Sequence, residues 1–123
     1  MNLETRYQMN PIETSIISFY IAGVQHANWL EWVHSDVKIE PGVELLLVKE
    51  PLNKYDPNAI AITTTDRIKL GYVPAKLTHI LRTAREHGAV KCKLFSYNPN
   101  AHEATMFKVE CFLIPDLKNE PTK

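Results

Sequence analysis

The stretch Glu50–Ile60, EPLNKYDPNAI, decides how this chain is read, because it is too rich in turn formers to belong to a helix or a strand. Pro57 sets φ near about −65° for the first central position of a turn, and Asn58 tolerates the second. Asp56 is placed to accept a backbone N–H two residues on. The segment before the loop, GVELLLVK (42–49), is almost continuously apolar, too short for a typical helix and suited to a buried strand. The segment after it, AIAITT (59–64), is a second strand. Thr65-Asp66-Arg67 then leaves room only for a tight turn before IKLGYV (68–73), so two of these strands form a hairpin.

The rest of the chain continues in the same manner. SIISFYIAGV (15–24) is rich in β-branched and aromatic residues and reads as a strand ending at Gly23. Trp29, Leu30, Trp32 and Val33 can cover one side of a short helical segment near Trp29–Val33, and Glu40-Pro41-Gly42 marks a turn. A main helix is expected over about Pro74–His87, with Pro74 at its first position and Gly88 just past its last turn. Leu77, Ile80, Leu81 and Ala84 then share a face. VKCKLFSY (90–97) and TMFKVECFLI (105–114) form a last hairpin across Asn98-Pro99-Asn100. Residues 1–14 read as a flexible N-terminal arm, 15–115 as one domain and 116–123 as a disordered polar tail. Six short strands with one good helix predict a mostly β protein, closed into a small partial barrel or two packed sheets that leave few free edges.

Composition limits the function. At 123 residues and 45% hydrophobic content the chain can build one core. It has no apolar run long enough to span a membrane and no signal-peptide pattern at its start. Two cysteines without CxxC spacing, Cys92 and Cys111, point away from a disulfide framework or zinc site and toward a reducing cytoplasmic setting. The net charge is zero but unevenly spread. Residues 1–66 carry four Lys/Arg against nine Asp/Glu, and residues 67–93 carry seven against one. A neutral total argues against a generic polyanion binder, while the local basic block is compatible with a short nucleic-acid contact, although charged faces of this kind are usually just solvated.

No nucleotide-binding, metalloprotease or nucleophile-elbow motif occurs, the histidines show no ligand spacing apart from a loose His26/His34 pair, and each cysteine alternates onto the apolar face of its strand. The expectation is a non-enzyme without metal or cofactor. Binding features are clearer. Tyr55 beside Asp56 at a loop tip forms a base-stacking and hydroxyl-binding pair, or else a turn with an aromatic anchor. Lys91, Lys93, Phe95 and Tyr97 alternate onto one face of their strand, where basic and aromatic side chains can cradle a nucleic-acid strand.

Three blocks in order, IAGVQHA (21–27), VELLLVKEPLNKYDPNAIAI (43–62) and LGYVPAKL (70–77), resemble the HIRAN domain over roughly residues 16–114. The resemblance implies a six-stranded OB-like barrel with helical additions. It also implies a module that holds the 3′-hydroxyl end of single-stranded DNA, found in DNA translocases and as free-standing small proteins. On that footing Tyr55 and Asp56 match the pair that contacts the terminal nucleotide, Tyr72 stands where the family has an aromatic or histidine, and Lys76 lies about one position from a phosphate-binding lysine. Gln25 and His26 occupy the places of an arginine and a stacking tyrosine, and Ala104 falls nearest a hairpin phenylalanine, with Met106 and Phe107 beyond. The resulting expectation is a non-catalytic nucleic-acid-binding module. Its partner would be single-stranded DNA or a DNA 3′ end, beside a helicase, translocase or nuclease in repair, replication or defence. The alternative is a protein-interaction or regulatory subunit that keeps the fold, favoured by zero net charge, by Gln25, and by Trp29 and Trp32 if they are exposed.

Overall fold

A computed structural model describes residues 12–35 and 38–116. Residues 1–11 of the expected arm and 117–123 of the expected tail lie outside the described residues. The strands are β1 (Thr14–Tyr20), β2 (Glu44–Lys49), β3 (Ile60–Thr64), β4 (Lys69–Tyr72), β5 (Gly88–Tyr97) and β6 (Phe107–Pro115), with α1 at Trp29–Val33 and α2 at Thr78–Arg85. The strands form one antiparallel sheet in the order β1-β6-β5-β2-β3-β4.

The sheet curls until its two ends meet. Just past β1, Ala22 and Tyr72 of β4 exchange two backbone hydrogen bonds of 2.8 Å each. This single bridge ties the outer strands together and makes the mostly β, curled barrel expected from the sequence. Gly23 then takes a left-handed conformation (φ 69°) that turns the chain out of the strand into a 3₁₀ turn at Val24–His26.

Inside the curl sits a cluster that includes Ile21, Trp32, Ile62, Leu70, Leu81, Leu94 and Val109. Phe107 is its aromatic centre. Its ring centroid lies 5.0 Å from Tyr97, 5.9 Å from Trp32 and 6.1 Å from Trp29, and such pairs add about 1 kcal/mol each beyond area burial. Trp32 is buried, and Trp29 packs half-buried against the same cluster.

Three sequence expectations need correction. The main helix is shorter than Pro74–His87. Pro74 is extended (ψ 135°) ahead of a 3₁₀ turn at Ala75–Leu77, and regular α-helix runs only from Thr78 to Arg85, with Gly88 already in β5. Burial also shifts from β2 to β3. All of Ile60–Thr64 is buried, whereas in β2 only Leu45 is, although each strand lies between two neighbours. Finally, Lys91, Lys93, Phe95 and Tyr97 do not share one face. Leu94 pairs with Val109 but Ser96 pairs with Lys108, so Phe95 is an extra, bulged residue. The bulge resets the alternation and turns Tyr97 into the core against Phe107.

Three of the seven cations in the basic block are paired by folding. Lys69, Lys91 and Lys93 pair with Glu50, Glu44 and Glu13, all from the acidic first half. Charges segregated along the chain are therefore mixed across the sheet.

Cys92 and Cys111 face each other across β5 and β6 and are fully buried, as the alternation predicts. A hydrogen bond with Cys111, together with burial, pushes the Cys92 thiol well above its ordinary range. Both thiols should therefore resist iodoacetamide in the folded protein and react readily in urea. Rapid labelling of native protein, read by mass spectrometry, would contradict this.

Candidate nucleic-acid interface

The Glu50–Ile60 loop closes over the Ala22–Tyr72 bridge, and between them lies an open cleft of about 740 Å³. The loop is held by its own short-range bonds. Glu50 N donates to Ala59 O at 3.0 Å and Ala59 N to Asp56 O at 3.0 Å, while Asn58 N donates to Asp56 Oδ1 at 2.9 Å. That last contact is the Asp56 turn bond expected from the sequence. It occupies one carboxylate oxygen of Asp56.

Asn53 organises the other half of the loop. Its Oδ1 accepts from Tyr55 N at 2.9 Å and Asp56 N at 3.0 Å, and its Nδ2 donates to Glu50 Oε1 at 3.0 Å. Held this way, Tyr55 stands almost free, 87% exposed, with Lys54 Nζ 5.4 Å from its ring centroid. A stiff loop holding an exposed aromatic loses little freedom when a flat ligand stacks on it.

Below the loop the cleft has a charged floor. Lys69 Nζ donates to Glu50 Oε2 at 2.7 Å and to the Tyr72 hydroxyl at 2.9 Å, and that hydroxyl donates to Glu50 Oε1 at 2.8 Å. Burial pushes the Glu50 carboxyl up, but hydrogen bonds from Lys69, Asn53 and Tyr72 and the charge of Lys69 outweigh it and hold the carboxyl below its ordinary value. Lys69 is correspondingly raised, chiefly by its hydrogen bond to Glu50. A lowered carboxyl stabilises the fold fully above its unfolded value, and that contribution fades as pH falls through the folded one. Glu50→Gln should therefore flatten the loss of stability that begins near pH 4.5 in the parent, measured by urea unfolding at stepped pH. An unchanged acid limb would show that the network contributes nothing.

Of the residues singled out by sequence, His26, Tyr55, Asp56 and Tyr72 line this one cleft. Gln25 is exposed beside His26 on the same 3₁₀ turn, and Lys76 is exposed one residue past the lining Ala75. Lys91 and Lys93 do not line the cleft; they lie on β5 in ion pairs. Ala104 is exposed on a 3₁₀ turn (Glu103–Thr105) that packs against the Val24–His26 turn, while Met106 and Phe107 are committed to the core.

Asn53, Lys54, Lys69 and Glu50 were not anticipated. Asn53 carried a legible signal, an Asx-type bond to the N–H groups two and three residues on. Lys69 carried none, because strand alternation puts it on the face opposite Tyr72. In β4, however, Gly71 pairs with Ile62 and Lys69 with Thr63, leaving Leu70 as an extra residue. That bulge brings Lys69 and Tyr72 to the same wall.

Among the described residues no group of three His, Cys, Asp or Glu side chains is placed to hold a metal, and no helix is long and apolar enough to cross a membrane.

A small curled antiparallel barrel with a cleft of aromatic and charged side chains at its closure is the class that the fold and site define. Residues 15–113 match the HIRAN domain, and the chain belongs to that family. Two solved structures share the fold. One is a protein from Lactobacillus plantarum, 15% identical, with TM-score 0.64, covering 84% of this chain and 96% of its own. The other is the HIRAN domain of human HLTF, 14% identical, with TM-score 0.64, covering 91% of this chain and 85% of its own. No curated protein matches the chain in sequence.

Proposed function

We propose that this HIRAN domain is a non-catalytic cytoplasmic module that binds single-stranded DNA at a free 3′ end. The observation that carries this reading is the convergence of His26, Tyr55, Asp56 and Tyr72, four residues from three separate stretches of sequence, on one cleft. Each has a part. The exposed Tyr55 ring stacks on a terminal base, with His26 as the facing ring. The free oxygen of Asp56 accepts a hydrogen bond from the terminal sugar hydroxyl. Lys54, Lys76 and the neutral Gln25 surround the entrance, so phosphate contacts are few and the salt dependence is shallow. Such an end occurs in repair, replication and defence, beside a helicase, translocase or nuclease.

The test compares 3′-hydroxyl and 3′-phosphate oligonucleotides by fluorescence anisotropy. Tyr55→Ala should weaken the hydroxyl form roughly tenfold or more. Asp56→Asn, which keeps the turn bond to Asn58, should remove the preference for hydroxyl over phosphate. Equal affinity of the parent protein for both ends would sink end capture. The alternative of a protein-interaction subunit loses part of one support, since Trp32 is buried in the core and Trp29 is half-buried against it.

A further inference from the structure

Outside the cleft, two large aromatic side chains stand in solvent on the outer face of the sheet, Tyr20 at 42% and Phe95 at 51% exposure. They are not scattered. Tyr20 on β1 lies opposite Lys108 on β6, and the bulge in β5 places Phe95 beside Ser96, the other cross-strand neighbour of Lys108. Lys108 Nζ lies 5.5 Å from the Tyr20 ring centroid and 5.3 Å from that of Phe95, one cation shared between two rings. The nearby carboxylate, Glu110, is bonded by Ser15 Oγ at 2.5 Å. Lys108 is left facing the two rings.

This patch adjoins the cleft. Along the chain Tyr20 is exposed, Ile21 is buried and Ala22 lines the cleft, so Tyr20 and Ala22 share the outer side, about 7 Å apart in extended chain. The two rings are two strand positions apart, about 10 Å. We infer that Tyr20, Lys108 and Phe95 form a stacking platform for the bases of single-stranded nucleic acid immediately 5′ of the end held in the cleft. The inference rests on the reading of the cleft as an end-binding site. Flat rings accept any base, and the cation between them is placed for the intervening phosphate, so the platform adds length-dependent and sequence-tolerant affinity. A protein ligand would make equal use of the rings but would leave oligonucleotide affinity indifferent to them.

The experiment titrates two 3′-hydroxyl oligothymidylates, a trinucleotide and one of about twelve nucleotides, against the parent protein, a Tyr20→Ala/Phe95→Ala double variant, Lys108→Gln and Tyr55→Ala. The parent should hold the longer strand at least about tenfold more tightly. The double variant should lose that advantage while binding the trinucleotide as the parent does. Lys108→Gln, which leaves both rings in place, should lower the salt slope for the longer strand by about one. If the parent binds both lengths equally, or the double variant keeps the advantage, the platform is overturned while Tyr55→Ala still reports on the cleft. If the parent binds neither strand, the cleft reading falls and the platform with it.

Discussion

Gly71→Ala is expected to cost the fold about 3 kcal/mol or more, a large effect for one methyl group. A Cβ at this position would stand 2.4 Å from the Ala22 carbonyl oxygen and 2.5 Å from Ile21 Cγ2, on a backbone with φ of 150°. The isoleucine tip can move. The carbonyl cannot move without cost, because it accepts the Tyr72 N–H at 2.8 Å, half of the bridge that closes the barrel. The same bridge forms a wall of the cleft, so the variant should lose oligonucleotide affinity even at temperatures where it stays folded. Urea unfolding measures the first effect and anisotropy the second. A midpoint shift worth less than about 1 kcal/mol would mean that the closure is soft and does not position the site.

Phe107→Ala should be at least as damaging, at about 4 kcal/mol. Phe107 is fully buried and touches Trp29, Trp32 and Tyr97 at once, so its removal leaves a cavity lined by large rings that cannot collapse into it. Phe107→Leu, closer in volume, should cost well under half as much. The two tryptophans make this visible. Their emission should shift to the red in Phe107→Ala as water reaches the cavity, and stay near that of the parent in Phe107→Leu. Matching emission and stability in both variants would refute the central place given to this ring.

Both predictions turn on features that linear patterns conceal. Tyr97 and Phe107 sit near a hairpin whose alternation points Tyr97 outward, and a bulge at Phe95 reverses it. The bulge at Leu70 does the same for Lys69, which is why the Glu50–Lys69–Tyr72 floor of the cleft was not visible in IKLGYV. A period of two survives only while pairing stays in register, and a bulge is set by the partner strand rather than by the bulged residue's own type.

The Glu50–Ile60 loop shows where the division lies. Its turn at Asp56-Pro57-Asn58 follows from local chemistry, since proline, asparagine and a short carboxylate fold this way with little help from the rest of the chain. The six strands, the short helix at Trp29–Val33 and the burial of both cysteines were likewise legible from apolar patterning, β-branched composition and turn residues. What faces the loop was not. His26 and Tyr72 reach Tyr55 and Asp56 only because the ends of the sheet meet at Ala22 and Tyr72, and Lys91 and Lys93 stay apart because pairing spends them on acids of the first half. Local interactions act over a few residues and can be read along the chain. Contacts across the closure of a curled sheet depend on the register of every strand between, and only the folded molecule determines that.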